Sequence, residues 1–369
     1  MWLLLPDLRK TMTPRSAQIA WGYVFIAPWI LGFLLFIFTP MAASLYLSLT
    51  DYNVQHPNDM KFVGLDHYQR MFSIRIERVD EDEEEAVTPE AEAQPAAEGE
   101  AVAADESSSA GGDFYQEVAQ IGKYSVVAKD RRFWKSIQVT LTFALFSLPA
   151  NLLLALFFAI MTNTRVPGVR VFRTLFYLPT VIPAVAAVTV FQQFLRDTDG
   201  WLNVYILAPF GIDGPAWLQE PSWAIPALAL IGTWGIGTAM LMFLAGLQNV
   251  PTELYEAARV DGANYFQQLR NVTIPMISPV ILYNLVIGLI GTFQYFVIAY
   301  SITIPAGRGG NELSMYFYNL HIYREAYQFY NMGYASALAW FLMVIVLIIT
   351  IAVFRTSNKW VYYAAGGKA

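Results

Sequence analysis

Of 369 residues, 56% are hydrophobic and only 14% charged, and the charges are bunched, which argues against an ordinary soluble domain. Without a single cysteine, disulfides, thiol nucleophiles and cysteine-based metal sites are excluded, and His56, His67 and His321 have no metal-ligand spacing. The net charge of −6 misleads: fifteen acidic residues and one basic residue, Arg78, fall between Glu77 and Glu117, and the remainder is net positive.

Six windows carry no charge: 16–50, 136–164, 174–195, 221–252, 271–307 and 326–354. Each exceeds the ~20 residues that cross a bilayer as a helix. The prediction is an all-α, polytopic membrane protein of six transmembrane helices, with a disordered acidic insert in the first external loop. The chain divides into a cytosolic lead (1–20), a first helix with an external turn (21–75), the insert (76–121), a five-helix core (122–355) containing a cytosolic loop (249–275), and a cytosolic tail (356–369). Basic residues set the orientation. Arg9, Lys10 and Arg15, then Arg165, Arg170 and Arg173, then Arg259 and Arg270, then Arg355, Lys359 and Lys368 fall on one side. Both termini and the 249–275 loop are thereby expected in the cytosol of a multi-pass cell-membrane protein.

In chain order, the first helix is expected near Trp21 to Leu47. A cleaved signal peptide is the other reading, but the charge-free run is longer than a signal core and five more follow. From Glu77 to Asp113 the chain has almost nothing to bury and cannot offset its ordering entropy. It reads as a solvated spacer, with an acidic lure for a basic partner as the alternative. The second helix spans about Ser136 to Asn163. The third begins with the run Phe172 to Pro179, with Pro183 shortly after, and carries Gln192 and Gln193 near its outer end. The fourth, near Trp223 to Gln248, places Gly232, Gly235, Ala239 and Gly246 on one face, read as close helix packing.

Between the fourth and fifth windows lies the one long polar run between two apolar segments in the second half, Pro251 to Pro275. Thr252 is expected to cap a helix, with Glu253 in its first turn to suit the dipole. Gly262 supplies a left-handed stop. Asn264 and Gln267 have capping-box spacing and open a second helix, Tyr265 to Val272. Two short helices at an elbow make a knob for another protein to grip. On the fifth helix, about Ile277 to Ile302, Asn284, Gly288, Gly291 and Tyr295 share one face, with Thr292 and Gln294 close to it. Asn284, Thr292, Gln294 and Tyr295 are the candidate solute-path residues; interhelical hydrogen bonding is the competing role. The sixth helix is expected near Ala335 to Phe354.

No P-loop is present, since Gly366-Gly367-Lys368 lacks the preceding strand and first glycine. No Ser/His/Asp set, carboxylate pair or HExxH falls within the spans. The expectation is a protein that is not an enzyme and binds no cofactor, metal or nucleic acid. Mid-membrane acids and bases, expected of proton-coupled carriers, are missing too.

Glu256-Ala257-Ala258, then Gly262 after three residues, then Val272, Ile274 and Pro275 after nine, resembles the EAA loop of binding-protein-dependent ABC importers. Phe62-Val63-Gly64-Leu65, Phe133-Trp134, the run Phe172 to Pro179, Asp199-Gly200-Trp201-Leu202-Asn203 and Tyr323-Arg324-Glu325-Ala326 are similar to carbohydrate-uptake permeases of the maltose or glycerol-phosphate kind. The insert departs from that pattern, as does Gly307-Arg308-Gly309-Gly310, where the family shows Gly-Gly-Pro. The resemblance implies one of two permease subunits, working with two copies of an ATP-binding subunit, a second permease subunit, an extracytoplasmic solute-binding protein and membrane lipid. It implies ATPase coupling through Glu256, Ala257, Ala258, Asp261, Gly262 and Pro275. Glu256 would pair with a basic group, the alanines would allow close approach, Gly262 would fix the elbow and Pro275 the exit. In malto-oligosaccharide relatives sugar contacts come from the helix after this loop, but the side chains here differ. Sugars, polyols and glycerol phosphates are not separable by these motifs, and a stand-alone channel or secondary carrier is the alternative function.

Overall fold

The computed structural model describes residues 14–78, 116–121, 124–163, 168–303 and 311–362. The fold is mostly helical, with four helices long and apolar enough to cross a membrane and two further pairs that qualify only as bent spans.

Helix α1 (Pro14–Phe33) runs through a π turn at Leu34–Phe38 into α2 (Thr39–Leu47). Pro40 has no N–H to give, so the helix widens, and Thr39 directs both its backbone N–H and its Oγ1 (2.8 Å) to Leu34 O. This first span stands off the bundle: its Trp21–Leu47 window has no buried residue. It touches the rest chiefly where α2 meets the last helix. A short α3 (Asp66–Phe72) follows, and His67 Nε2 donates to Thr50 O, 3.0 Å away.

Three antiparallel strands come next, β1 (Ile74–Arg78), β2 (Gln116–Ile121) and β3 (Tyr124–Ala128), in the order β1-β3-β2. This corrects the all-α expectation and the edges predicted for the insert. Both flanks of the acidic tract are strands, because Val126, Val127, Ile74 and Ile76 supply the ladder with β-branched residues, of which the acidic centre has few. Residues 79–115, on which the disorder expectation falls, lie outside the described residues, as do 1–13, residues 363–369 of the tail and the Gly307–Gly310 turn.

Helix α4 (Arg131–Thr162) is the central post, opened by Asp130, whose carboxylate accepts the Phe133 N–H at 2.9 Å. Against it pack α7 (Pro221–Thr233), α8 (Gly237–Gln248) and α11 (Ile274–Phe293). Before them come α5 (Val169–Tyr177) and α6 (Ala184–Phe194). These two belong to the third charge-free window, expected as one span, and they meet at 102°. Pro179 and Pro183 remove two donors and force an extended turn between them. The fourth window is bent by 54° between α7 and α8, across Trp234-Gly235-Ile236. Among the described residues four candidate spans therefore lack such a bend, and the count reaches six only with each bent pair taken as one.

After α8 come α9 (Thr252–Val260), α10 (Tyr265–Gln268), the π turn Leu269–Thr273 and α11, then α12 (Val297–Thr303), α13 (Tyr318–Tyr323) and α14 (Met332–Ser357). Small residues make the contacts tight. Ala155 and Ala159 of α4 are fully buried with Met240 and Phe243 of α8. A β-carbon on Gly288 would lie 2.5 Å from Leu148 Cδ1. In lipid such close approach, rather than hydrophobic drive, holds helices together.

At the end of the bundle where α4 starts, a buried polar cluster joins α4, α13 and α14. Tyr334 Oη donates to Asp130 Oδ2 at 2.5 Å. His321 Nε2 stands 3.4 Å from the same oxygen, and its Nδ1 lies 3.1 Å from Tyr316 Oη. Burial pushes the Asp130 pKa up, but the charge and hydrogen bond of His321, with Tyr334 and the Phe133 N–H, outweigh it and hold the carboxyl well below the usual range.

Candidate functional site

Two regions carry chemistry, and one rod of helix joins them. The first is the 249–275 loop. Glu256, Ala257, Asp261 and Gly262 are exposed, while Ala258 and Pro275 are half-buried. Helix α9 ends in a Schellman motif: Ala263 N–H donates to Ala258 O at 2.8 Å and Gly262 N–H to Arg259 O at 3.0 Å. Gly262 sits at φ +78°, in the left-handed region that glycine enters freely. The capping box forms as the spacing predicts. Asn264 Oδ1 accepts from the Gln267 N–H at 2.9 Å, and Gln267 Oε1 from the Asn264 N–H at 2.7 Å. Val260 and Phe266 are left 88% and 76% exposed on this knob, an apolar surface that a partner would cover.

Two details differ from expectation. Thr252 is already helical, so Pro251 holds the cap position and no side chain caps α9. The second short helix does not end at Val272. It passes through the π turn, where the Ile274 N–H reaches Leu269 O, straight into α11. Pro275 is the second residue of α11, directly after the π turn. Tyr255 Oη lies 2.9 Å from Thr273 Oγ1 and ties α9 to that rod. From Tyr265 to Thr303 the chain qualifies as a single long span.

The second region is a cavity of about 390 Å³ between α4, the α7–α8 bend and α11. Asn284, Thr292 and Tyr295 line it, and the structure brings them together with Ser147, Asn151 and Thr238. Gln294 does not join them: it caps the C-terminus of α11 and is exposed. Gly232, Gly235 and Ala239, read as packing, also border the cavity, whereas Gly246 does pack, against Val280. Asn151 Nδ2 donates to Ser147 Oγ at 3.0 Å, which leaves its Oδ1 buried without a partner. Tyr295 Oη is likewise buried and unpaired. Phe143, Tyr295 and Phe317 meet at centroid distances of 4.5, 4.9 and 5.2 Å and close the cavity on the side of the α4 N-terminus. Every lining side chain is uncharged, so the cavity can offer hydrogen bonds and aromatic faces but no counter-ion. Sequence reasoning missed Ser147 and Asn151. The available signal was an asparagine in the middle of an apolar window, where an amide must face protein or water.

Among the described residues no group of His, Asp and Glu is placed to hold a metal.

Comparison with known proteins agrees with this architecture. The family described as "Binding-protein-dependent transport system inner membrane component" matches residues 125–362. "Probable ABC transporter permease protein YesP" of Bacillus subtilis (strain 168) is 35% identical over 357 residues, 96% of each chain. "Trehalose/maltose transport system permease protein MalF" of Thermococcus litoralis is 31% identical over 239 residues, 64% of this chain and 78% of its own. Among solved structures, a chain of a bacterial alginate ABC transporter, in complex with an alginate pentasaccharide-bound periplasmic protein, superposes with a TM-score of 0.62. It is 22% identical, with 93% of this chain and 96% of that chain covered, a likeness of fold.

Proposed function

Because the chain belongs to the family of inner membrane components of binding-protein-dependent transport systems, and is an ABC importer permease subunit rather than an enzyme, we propose that its uncharged cavity passes a sugar or sugar-like solute. We further propose that the 249–275 loop couples it to the ATPase. The observation that carries this reading is mechanical. The helical rod that begins at the capped elbow beside Glu256 is the same rod that presents Asn284 and Thr292 to the cavity. A displacement of the elbow is transmitted along a rigid helix to the wall of the solute path, without need of a flexible intermediary.

The sugar class is supported by relatives such as the trehalose/maltose permease protein and a lactose transport permease protein of Rhizobium radiobacter, 34% identical over 237 residues. It is supported too by the cavity chemistry: amide, hydroxyl and aromatic groups suit polyhydroxy solutes. The partners follow from the same reading: two ATP-binding subunits against α9, a second permease subunit, and an extracytoplasmic solute-binding protein. The termini and the elbow lie in the cytosol, and Glu256 pairs with a basic group of the ATPase.

The test is reconstitution of the importer in liposomes. Glu256→Lys and Gly262→Pro should leave the chain inserted and ATP hydrolysis measurable while uptake of solute is lost. Wild-type uptake in both variants would refute the coupling role. Uptake by this chain alone, without an ATPase, would favour a self-sufficient carrier.

A further inference from the structure

We propose that the outer mouth of the bundle holds a second saccharide subsite, built on Gln192, Gln193 and Trp201, which loads neutral sugar ahead of the cavity; this rests on the sugar reading above. Two adjoining depressions, of about 690 and 380 Å³, meet at the end of α6, and Gln192 and Arg196 line both. Gln193 and Trp201 line the larger. Among the described residues neither glutamine amide nor the Trp201 indole N–H has a hydrogen-bond partner. Trp201 is 62% exposed. An open indole face beside two free amides is the chemistry that grips a pyranose: the apolar C–H face lies on the ring and hydroxyls pair with the amides.

Three features distinguish this from a lipid-facing aromatic belt. First, the rim is aqueous, since Arg196 and Asp199 form an exposed ion pair at 3.2 Å beside Trp201. That pairing also leaves no free cation to demand an acidic sugar. Second, the rim is pre-organised. Asn203, 7% exposed, donates to Asp197 O at 3.0 Å and Pro215 O at 3.3 Å and accepts the Trp217 indole N–H at 2.7 Å. A β-carbon at Gly200 would sit 2.0 Å from Arg196 O, so the turn carrying Trp201 is locked against the end of α6, and a ligand need not order it. Third, the mouth stands close to the cavity, beyond the aromatic closure at Tyr295. Ile302, in the wall of the smaller depression, lies near the end of α12, whose start follows Tyr295 of the cavity. A helix of that length rises about 10 Å, so the two sites stand at opposite ends of one short helix.

The test uses the complete transporter, with both permeases and its ATPase, in phospholipid nanodiscs without the solute-binding protein. Maltose, lactose and arabinotriose serve as probes, with binding read by saturation-transfer NMR and uptake measured in liposomes. At least one probe should bind. Trp201→Ala should weaken that binding about tenfold, Trp201→Phe should restore most of it, and Gln192→Ala with Gln193→Ala should weaken it comparably. Unchanged binding in Trp201→Ala, with uptake intact, overturns the subsite and leaves the sugar reading standing. Weaker capture of the solute-binding protein by Trp201→Ala, with sugar binding unchanged, makes this a protein-docking rim and also overturns it. If no probe binds or is taken up, the sugar reading fails and the subsite with it.

Discussion

Asp130 shows how one carboxylate organises an end of a membrane bundle. Its two oxygens serve the start of α4, through Phe133, and the start of α14, through Tyr334, while His321 of α13 stands beside it. Deleting one side of a buried charge contact strands the other. His321→Ala is therefore expected to destabilise the solubilised protein by about 3 kcal/mol, seen as a lower thermal midpoint, whereas Lys359→Ala on the exposed tail should not move it. The acid side gives an independent check. Folded Asp130 holds its proton more weakly than an ordinary carboxylate, so unfolding takes up a proton in acid. Its contribution is complete above the usual carboxylate range, near pH 4, and drains away as pH falls below it. Asp130→Asn should flatten that acid slope, and an unaltered slope would count against the cluster. The contact at Gly288 belongs to the same scale. Gly288→Val forces α11 away from Leu148, an overpacking that should cost about 1–3 kcal/mol, read as a lower midpoint.

At the scale of elements, the elbow is the part most legible in the sequence. Asn264 and Gln267 form their box and Gly262 takes the left-handed stop because each depends on neighbours within a few residues. Asn264→Ala should cost about 1 kcal/mol of local helix stability, measurable as faster amide exchange in α10 with α11 unaffected. What stayed hidden depended on distant partners. The charge-free windows announce spans but not their straightness, and the 102° turn at Pro183 needs the surrounding helices to satisfy the backbone it frees. The strands flanking the acidic tract were obscured by composition averaged over the whole insert. Gln294 was placed with Thr292 and Tyr295 by proximity in sequence, yet α11 ends there and turns it outward. Asn151 was overlooked because the cavity it faces is completed by residues of other helices.

At the scale of the whole molecule, the first span is unlike the others. Its Trp21–Leu47 window buries nothing, Phe36 is 81% exposed, and it meets the bundle chiefly where α2 leans on α14. A helix apolar on all sides and free of its own bundle can face lipid alone or lie along another membrane subunit. The proposed second permease subunit favours the latter, since its spans must approach this chain to enclose a path that this cavity borders on one side only. The absence of native cysteine makes the test clean. Phe36→Cys is expected to cross-link, through a short bifunctional thiol reagent, to cysteines placed along the partner permease in the assembled importer. Leu145→Cys, 80% exposed on α4, maps the other face. Cross-linking at Leu145 but none at Phe36 would assign the first span to lipid and put the subunit contact on the core helices, where α4 itself would then carry the neighbour.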